Sequence, residues 1–312
     1  MIVKISSKES ASAIHGYGRG AGRFLSKIAL WPSHNTGYMR RRSAPWPTAH
    51  LPCGQTSYTP RTLGRMQKKQ TLKQIDIVLI KSKFLKMNRI KEHFETEAKE
   101  FDEIIIKLIP YYNQMVQALV DTIYFNKDLP IRVIDLGCGT GTIARIIADK
   151  FPNSKIVCLD IASNMIDIAK HKLSSHKNTD FITGDFSQID FKDKFDVVVS
   201  SLALHHLEND SDKIKFYSKI YDILEDAGQF INADVVLAST DYHQINNINR
   251  WIEYMNKTVP MDDILNNWIP KYKSEDRPAK LIDQLKWLEN IGFKSVDVIW
   301  KYYNFSVYGG IK

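Results

Sequence analysis

The stretch IRVIDLGCGTGTIARIIADKF, residues Ile131–Phe151, places Gly137, Gly139 and Gly141 within five positions. They separate an apolar run from a run with helical spacing. IRVIDL is apolar and β-branched, which fits a strand covered on both faces. In TIARIIADKF the apolar residues Ile143, Ile146, Ile147 and Phe151 recur at helical intervals. A glycine-rich turn between a strand and its helix exposes backbone N–H groups and lets the main chain approach a ligand. The GxGxG spacing is a weak signal alone, and an ordinary tight turn of an open α/β protein is its alternative.

Reading outward, the alternation continues. KIVCLD, TDFITGD, FDVVVSS and GQFINADVV read as strands. NMIDIAKHKLSS reads as a helix with Ser163 as its expected N-cap and Met165, Ile166 and Ala169 on one face. DKIKFYSKIYDIL reads as a helix with Ile214, Tyr217, Ile220, Tyr221 and Leu224 inward. Strands alternating with helices predict an α/β fold, a Rossmann-like doubly wound parallel sheet. After Val236 the alternation stops. Residues 240–275 are helical and aromatic, Pro278 is expected to open a helix through LIDQLKWLENIG, and KSVDVIWKY and NFSVYGGIK close the chain as a hairpin-like pair. No internal repeat is visible.

Composition divides the 312 residues unevenly. Residues 1–86 hold 16 of the 43 Lys and Arg but only two of the 35 acids, Glu9 and Asp76, a charge of +14; the remainder carries −6. This first quarter has no persistent periodicity. It reads as a basic extension or a misassigned start before Met87, with a transit peptide or a nucleic-acid-binding arm as the alternatives. The mildly acidic body argues against a broad phosphate-tracking surface, so a tRNA partner is a secondary expectation. Three scattered cysteines, Cys53, Cys138 and Cys158, make no disulfide framework and point to a reducing, cytoplasmic compartment. No window has the ~20 apolar residues of a membrane span.

Three acids then mark three consecutive strand ends. Asp135 lies on the first strand beside the glycines. Asp160 ends the second, where an acid can accept both hydroxyls of a ribose. Asp185 ends the third, placed to accept from an adenine amino group, with Phe186 or Ile161 against the ring. Open α/β sheets bind ligands at this edge. Hydride-transfer enzymes are the rival for such a turn, but their GxGxxG spacing would need glycine where Thr142 stands.

VIDLGCGTGTIA, CLDIASNMI, ITGDF and FDVVVSSLALHHL together resemble the ordered motifs of class I S-adenosylmethionine-dependent methyltransferases, over about residues 90–312. The resemblance implies a seven-stranded sheet with the last strand antiparallel, S-adenosylmethionine as cofactor, and a small-molecule acceptor. It implies that Asp135 and the loop Gly137, Cys138, Gly139, Thr140, Gly141 hold the methionine part. Asp160 takes the ribose, Ile161, Met165, Asp185 and Phe186 surround the adenine side, and Ser201 and Leu202 border the sulfonium.

His205 and His206 follow the fourth strand and are the candidate catalytic bases. Neither HxH nor HxxxH nor a local carboxylate cluster accompanies them, so no metal is expected. Trp251, Tyr254, Trp268 and Tyr272 lie in an insert of about 240–278, expected to serve as a lid. Trp251, Trp268, Arg277 and Tyr112 are the candidate acceptor contacts, and Phe101, Tyr111 or Tyr112 is also expected near the cofactor pocket. The chain ends are loosely similar to the tRNA wobble-uridine carboxymethoxyuridine branch of this family. That branch includes a maker of carboxylated S-adenosylmethionine.

Overall fold

The computed structural model describes Asn88 and residues 100–312. The expectations for residues 1–86 lie outside the described residues. Two short helices come first, α1 (Phe101–Leu108) and α2 (Tyr112–Asp121). Then β1 (Arg132–Leu136), α3 (Thr142–Lys150), β2 (Lys155–Asp160), α4 (Ser163–Lys172), β3 (Thr179–Thr183) and β4 (Phe195–Ser201) follow the predicted alternation. A 3₁₀ turn, Leu204–His206, leads into α5 (Asp210–Ile223) and β5 (Leu224–Val235). The insert is α6 (Asp241–Met255) and a helical run α7 (261–275) with a π-helical stretch at Ile264–Trp268. The chain closes with α8 (Leu281–Ile291), β6 (Lys294–Tyr302) and β7 (Phe305–Ile311).

The seven strands form one sheet in the order β3-β2-β1-β4-β5-β7-β6. Strands β1 to β5 pair in parallel, and β7 runs antiparallel to both β5 and β6. The terminal hairpin is therefore inserted with its last strand against β5. The order reverses at β1, between β2 and β4, so a crevice opens at the carboxyl ends of β1 and β4.

Apolar faces drive this assembly. Val133, Val197, Val199 and Ile231 bury one sheet face under α2 and α3, with Met115, Leu119 and Ile147 fully enclosed. Ile134, Val198, Phe230 and Tyr308 bury the other, beneath Phe216, Tyr217 and Ile220 of α5 and Leu288 of α8. A buried polar knot ties that second face together. The Tyr217 and Tyr308 hydroxyls both donate to Gln284 Oε1 at 2.6 Å, and Asn232 Nδ2 donates to the Tyr308 hydroxyl at 2.8 Å. The knot joins α5, α8, β7 and β5, so the hairpin is held by paired polar groups as well as apolar area.

Two boundaries differ from expectation. Ala162, not Ser163, is the N-cap of α4, because the Asp160 carboxylate already accepts from the Ala162 N–H at 2.9 Å and shapes the turn. Residues 276–280 remain outside a helix, and α8 begins only at Leu281. Leu237 and Lys280 form an isolated parallel bridge, and the Leu237 N–H donates to the Ala279 carbonyl at 2.9 Å. That pairing holds Pro278 in the connection.

Candidate active site

The glycine turn sits at the carboxyl end of β1, and its three glycines have different reasons to exist. All three take left-handed φ, between 53° and 77°. A Cβ on Gly137 would stand 2.4 Å from the Ala203 side chain, and one on Gly141 would meet Ala169 of α4 at 3.0 Å. These two are excluded by the protein itself. A Cβ on Gly139 would meet nothing nearer than the Phe101 ring at 3.9 Å. Gly139 is the glycine that faces open space, and that space is a cavity of about 830 Å³ including its open mouth.

The cavity wall contains Asp135, Gly137, Cys138, Gly139 and Thr140 from the first motif. Asp160, Ile161 and Met165 come from the second, and Asp185 and Phe186 from the third. Ser201 and Leu202 complete it beyond β4. Of the expected cofactor residues only Gly141 is set back from the wall, packed on α4.

The carboxylates differ in what they already hold. Asp160 Oδ2 accepts from the Gly139 N–H at 2.8 Å and Oδ1 from Ala162, so this acid shapes the loop and lines the cavity at once. Asp185 Oδ1 accepts from the Ser187 N–H at 2.8 Å, the ordinary work of an acid at a strand end. Asp135 is 1 % exposed, and neither of its oxygens makes a hydrogen bond among the described residues. Burial and the neighbouring Asp160 charge push its pKa up to about 7, against a weaker pull from the Ala144 amide. A buried carboxylate without a partner is costly unless a ligand supplies one. The α-ammonium of an amino-acid cofactor would do so. The Ser201 hydroxyl is likewise buried without a partner among the described residues. The donor set therefore fits S-adenosylmethionine.

Helix α1 covers this cavity and is latched to the loop. Lys172 Nζ donates to Asp102 Oδ2 at 2.8 Å and to the Thr140 and Thr142 hydroxyls at 2.9 Å, and Thr140 Oγ1 donates to Asp102 Oδ1 at 2.6 Å. Partial burial works to raise the Asp102 pKa, but Lys172 and the two threonines outweigh it and hold it below the usual range. Two carbonyls of the last turn of α1 are satisfied from α6. Trp251 Nε1 donates to Leu108 O at 2.7 Å and the Tyr254 hydroxyl to Ile106 O at 3.0 Å. Trp251 and Tyr254, three residues apart on α6, thus pin the cover in place.

A second cavity of about 840 Å³, its mouth included, adjoins the first, and Phe101, Leu202 and His206 border both. Leu202 takes φ 51°, an uncommon conformation for a branched residue, and its N–H donates to Ala233 O at 2.8 Å. Trp251, Trp268 and Tyr272 line the second cavity with apolar residues of α1. Lys271, Glu275 and Asp276 add charge at its rim and wall.

The two histidines separate in role. His205 is buried, its Nδ1 2.5 Å from Asp234 Oδ1 and its Nε2 3.5 Å from Asp276 Oδ1. Burial alone would depress its pKa, but the two carboxylates overcome this and raise it to about 10. His206 sits at the junction of the cavities, with Nδ1 3.7 Å from Asp276 Oδ1.

Three expectations change here. Tyr112 lines the cofactor cavity, one of its two expected places, and not the acceptor side. Tyr111 turns away, its ring 4.7 Å from Tyr302 and 6.2 Å from Tyr254. Arg277 borders neither cavity; its guanidinium caps the end of α7 by donating to the carbonyls of Ser274 and Asp276 at 3.0 and 2.6 Å. The reason given for expecting no metal also fails in space. His205, His206 and Asp276 present ligand atoms within 4.8 Å of one another, although Asp276 is distant in sequence. Sequence reasoning missed Asp234, which ends β5 as the other acids end their strands, and Asp102 and Lys172, which carry no local signal.

Comparison with known proteins agrees with the cavity. Residues 133–228 match the family model described as a methyltransferase domain. Carboxy-S-adenosyl-L-methionine synthase of Campylobacter hominis is 29% identical over 237 residues, covering 71% of this chain and 95% of that protein. Malonyl-acyl-carrier-protein O-methyltransferase 1 of Ilyobacter polytropus is 25% identical over 183 residues, 56% of this chain and 63% of the relative. The chain thus spans less than two thirds of the second relative. The solved structure of PigF with S-adenosylhomocysteine superposes with a TM-score of 0.50 at 16% identity, over 72% of this chain and 61% of that one, a likeness of fold. No helix among the described residues is long and apolar enough to cross a membrane.

Proposed function

We propose that this chain is a class I S-adenosylmethionine-dependent methyltransferase that methylates a small, largely apolar molecule seated in the second cavity. The observation that carries the reading is the shared border of Phe101, Leu202 and His206 between the two cavities. A group leaving the first cavity at that border enters the second without crossing bulk water.

S-adenosylmethionine supplies a methyl on a positively charged sulfur; the acceptor's lone pair makes the new bond to carbon and the old bonding pair stays on sulfur. The chain's work is placement and exclusion of water. Asp135 holds the ammonium end, Asp160 the ribose, and Asp185 with Phe186 and Ile161 the adenine. Met165, Cys138 and Thr140 complete the walls, and Ser201 and Leu202 border the reacting end. Trp251, Trp268 and Tyr272 sandwich a planar or apolar acceptor. His206 and Asp276 form the polar wall that takes up a proton shed by an acceptor hydroxyl or amine. His205, clasped between Asp234 and Asp276, borders the same cavity and positions that wall.

A second reading draws on the 95% coverage of carboxy-S-adenosyl-L-methionine synthase. There the cofactor's own methyl would be the site of change. Incubating the full chain with S-adenosylmethionine, and with either candidate acceptors or a carboxylic acid able to give up its carboxyl group as carbon dioxide to the cofactor methyl, and following the nucleoside by mass, separates the two. Methyl transfer yields S-adenosylhomocysteine and a methylated acceptor. A cofactor heavier by a carboxyl group would replace the first reading with the second.

A further inference from the structure

Among the described residues one group of side chains has the geometry of a metal-binding triad, and neither the fold nor the cofactor accounts for it. We propose that His205 Nε2, His206 Nδ1 and Asp276 Oδ1 bind one divalent transition-metal ion of the zinc, iron(II) or cobalt type, open to the second cavity.

The separations decide between an ion pair and a coordination shell. Asp276 Oδ1 is 3.5 Å from His205 Nε2 and 3.7 Å from His206 Nδ1. Both are longer than the ~2.7–3.2 Å of a good N–H···O hydrogen bond. Ligands at about 2.0–2.2 Å from a tetrahedral ion lie about 3.3–3.6 Å apart. Both separations from Asp276 thus stand near coordination spacing before any ion is considered, and the three ligand atoms lie within 4.8 Å of one another.

The surroundings have the form such sites need. A ligating histidine is oriented when its other ring nitrogen donates to a carboxylate. His205 Nδ1 is 2.5 Å from Asp234 Oδ1, and Asp234 Oδ2 also accepts from the His205 N–H at 3.1 Å. That clasp turns Nε2 toward Asp276. The Arg277 N–H donates to the His205 carbonyl at 2.9 Å, which fastens the end of α7 to the 3₁₀ turn and brings Asp276 into place. All three ligand residues border the second cavity, so the remaining coordination positions face the acceptor. Two imidazoles and one carboxylate favour a borderline transition metal over magnesium or calcium, which prefer oxygen. An ion here would hold an acceptor oxygen beside the border the methyl must cross, and would lower the pKa of an acceptor hydroxyl. That use in turnover rests on the reading of the second cavity given above; ion binding does not.

The test is calorimetric titration of Zn²⁺ into the full chain after chelator stripping, with the absorption spectrum of the Co²⁺ form as a second readout. One equivalent should bind, and the Co²⁺ spectrum should show tetrahedral or five-coordinate bands without sulfur-to-metal charge transfer, excluding the cysteines. His206→Ala and Asp276→Asn should each weaken Zn²⁺ binding by more than about 100-fold, and Asp234→Asn by about 10–100-fold. A melting temperature of His206→Gln close to that of the parent chain shows that the variant is folded. The proposal is overturned if the stripped chain binds S-adenosylhomocysteine but no stoichiometric Zn²⁺. It is equally overturned if Zn²⁺ binds with unchanged affinity in the folded His206→Gln variant. A chain that binds Zn²⁺ at the triad but no S-adenosylhomocysteine would leave the ion site standing and remove the methyltransferase reading instead.

Discussion

Gly137 and Gly139 share a left-handed backbone and a motif, yet they answer to different neighbours. Gly137→Ala drives a Cβ to 2.4 Å from Ala203. It should cost about 2–4 kcal/mol of stability, from overpacking plus left-handed strain. Gly139→Ala meets only the cavity, so it should cost about 1–2 kcal/mol of strain while removing most cofactor affinity. Denaturant unfolding beside calorimetry distinguishes the two. Asp135 gives a prediction of opposite signs. Its folded pKa of about 7 stands above its ordinary 3.8. Its stabilising contribution to the ligand-free chain is therefore full below pH 3.8 and is lost as pH rises through about 7. Cofactor binding needs the ionised form and should strengthen over the same rise. Asp135→Asn should flatten the stability decline and leave cofactor affinity weak throughout, as pH-dependent melting and titration would register. If the variant bound as well as the parent, the carboxylate would not be the ammonium's partner.

At the scale of elements, α1 is the piece whose placement matters most. It is held by one electrostatic latch, Lys172 on Asp102, Thr140 and Thr142, and by Trp251 and Tyr254 on its last carbonyls. Lys172→Met keeps the aliphatic stem and removes the donors. The fold should persist while cofactor affinity falls about fivefold, the equivalent of about 1 kcal/mol. Trp251→Phe forfeits one hydrogen bond of about 1 kcal/mol, and amide exchange in Phe101–Leu108 should quicken while β1 and β4 remain protected. Unchanged exchange in α1 would mean that α6 is not what secures it. The sequence made the strand–helix alternation readable because each element carries its own period. The three acids could be placed because a parallel sheet delivers every strand end to one edge. The latch and the Asp234 and Asp276 contacts were hidden for the same physical reason in reverse. Their partners are 29 and more residues apart, and nothing in a local window records which turns will meet. Asp234 obeys the strand-end rule, as the penultimate residue of β5. Arg277 answers to the end of α7, whose position no local window fixes.

For the whole molecule, the order β3-β2-β1-β4-β5-β7-β6 sets one crevice between β1 and β4, and both cavities open from that edge. The terminal hairpin is part of the same core through the Tyr217–Gln284–Tyr308–Asn232 knot. The measurement that tests the central claim most directly is calorimetric titration of S-adenosylhomocysteine into the full chain, with Asp160→Ala alongside. The account predicts one saturable site in the parent chain. It also predicts a loss of affinity exceeding about tenfold in the variant, which forfeits both the ribose contact and the Gly139 hydrogen bond. A folded parent chain that shows no binding, or a folded Asp160→Ala variant that binds equally well, would contradict it.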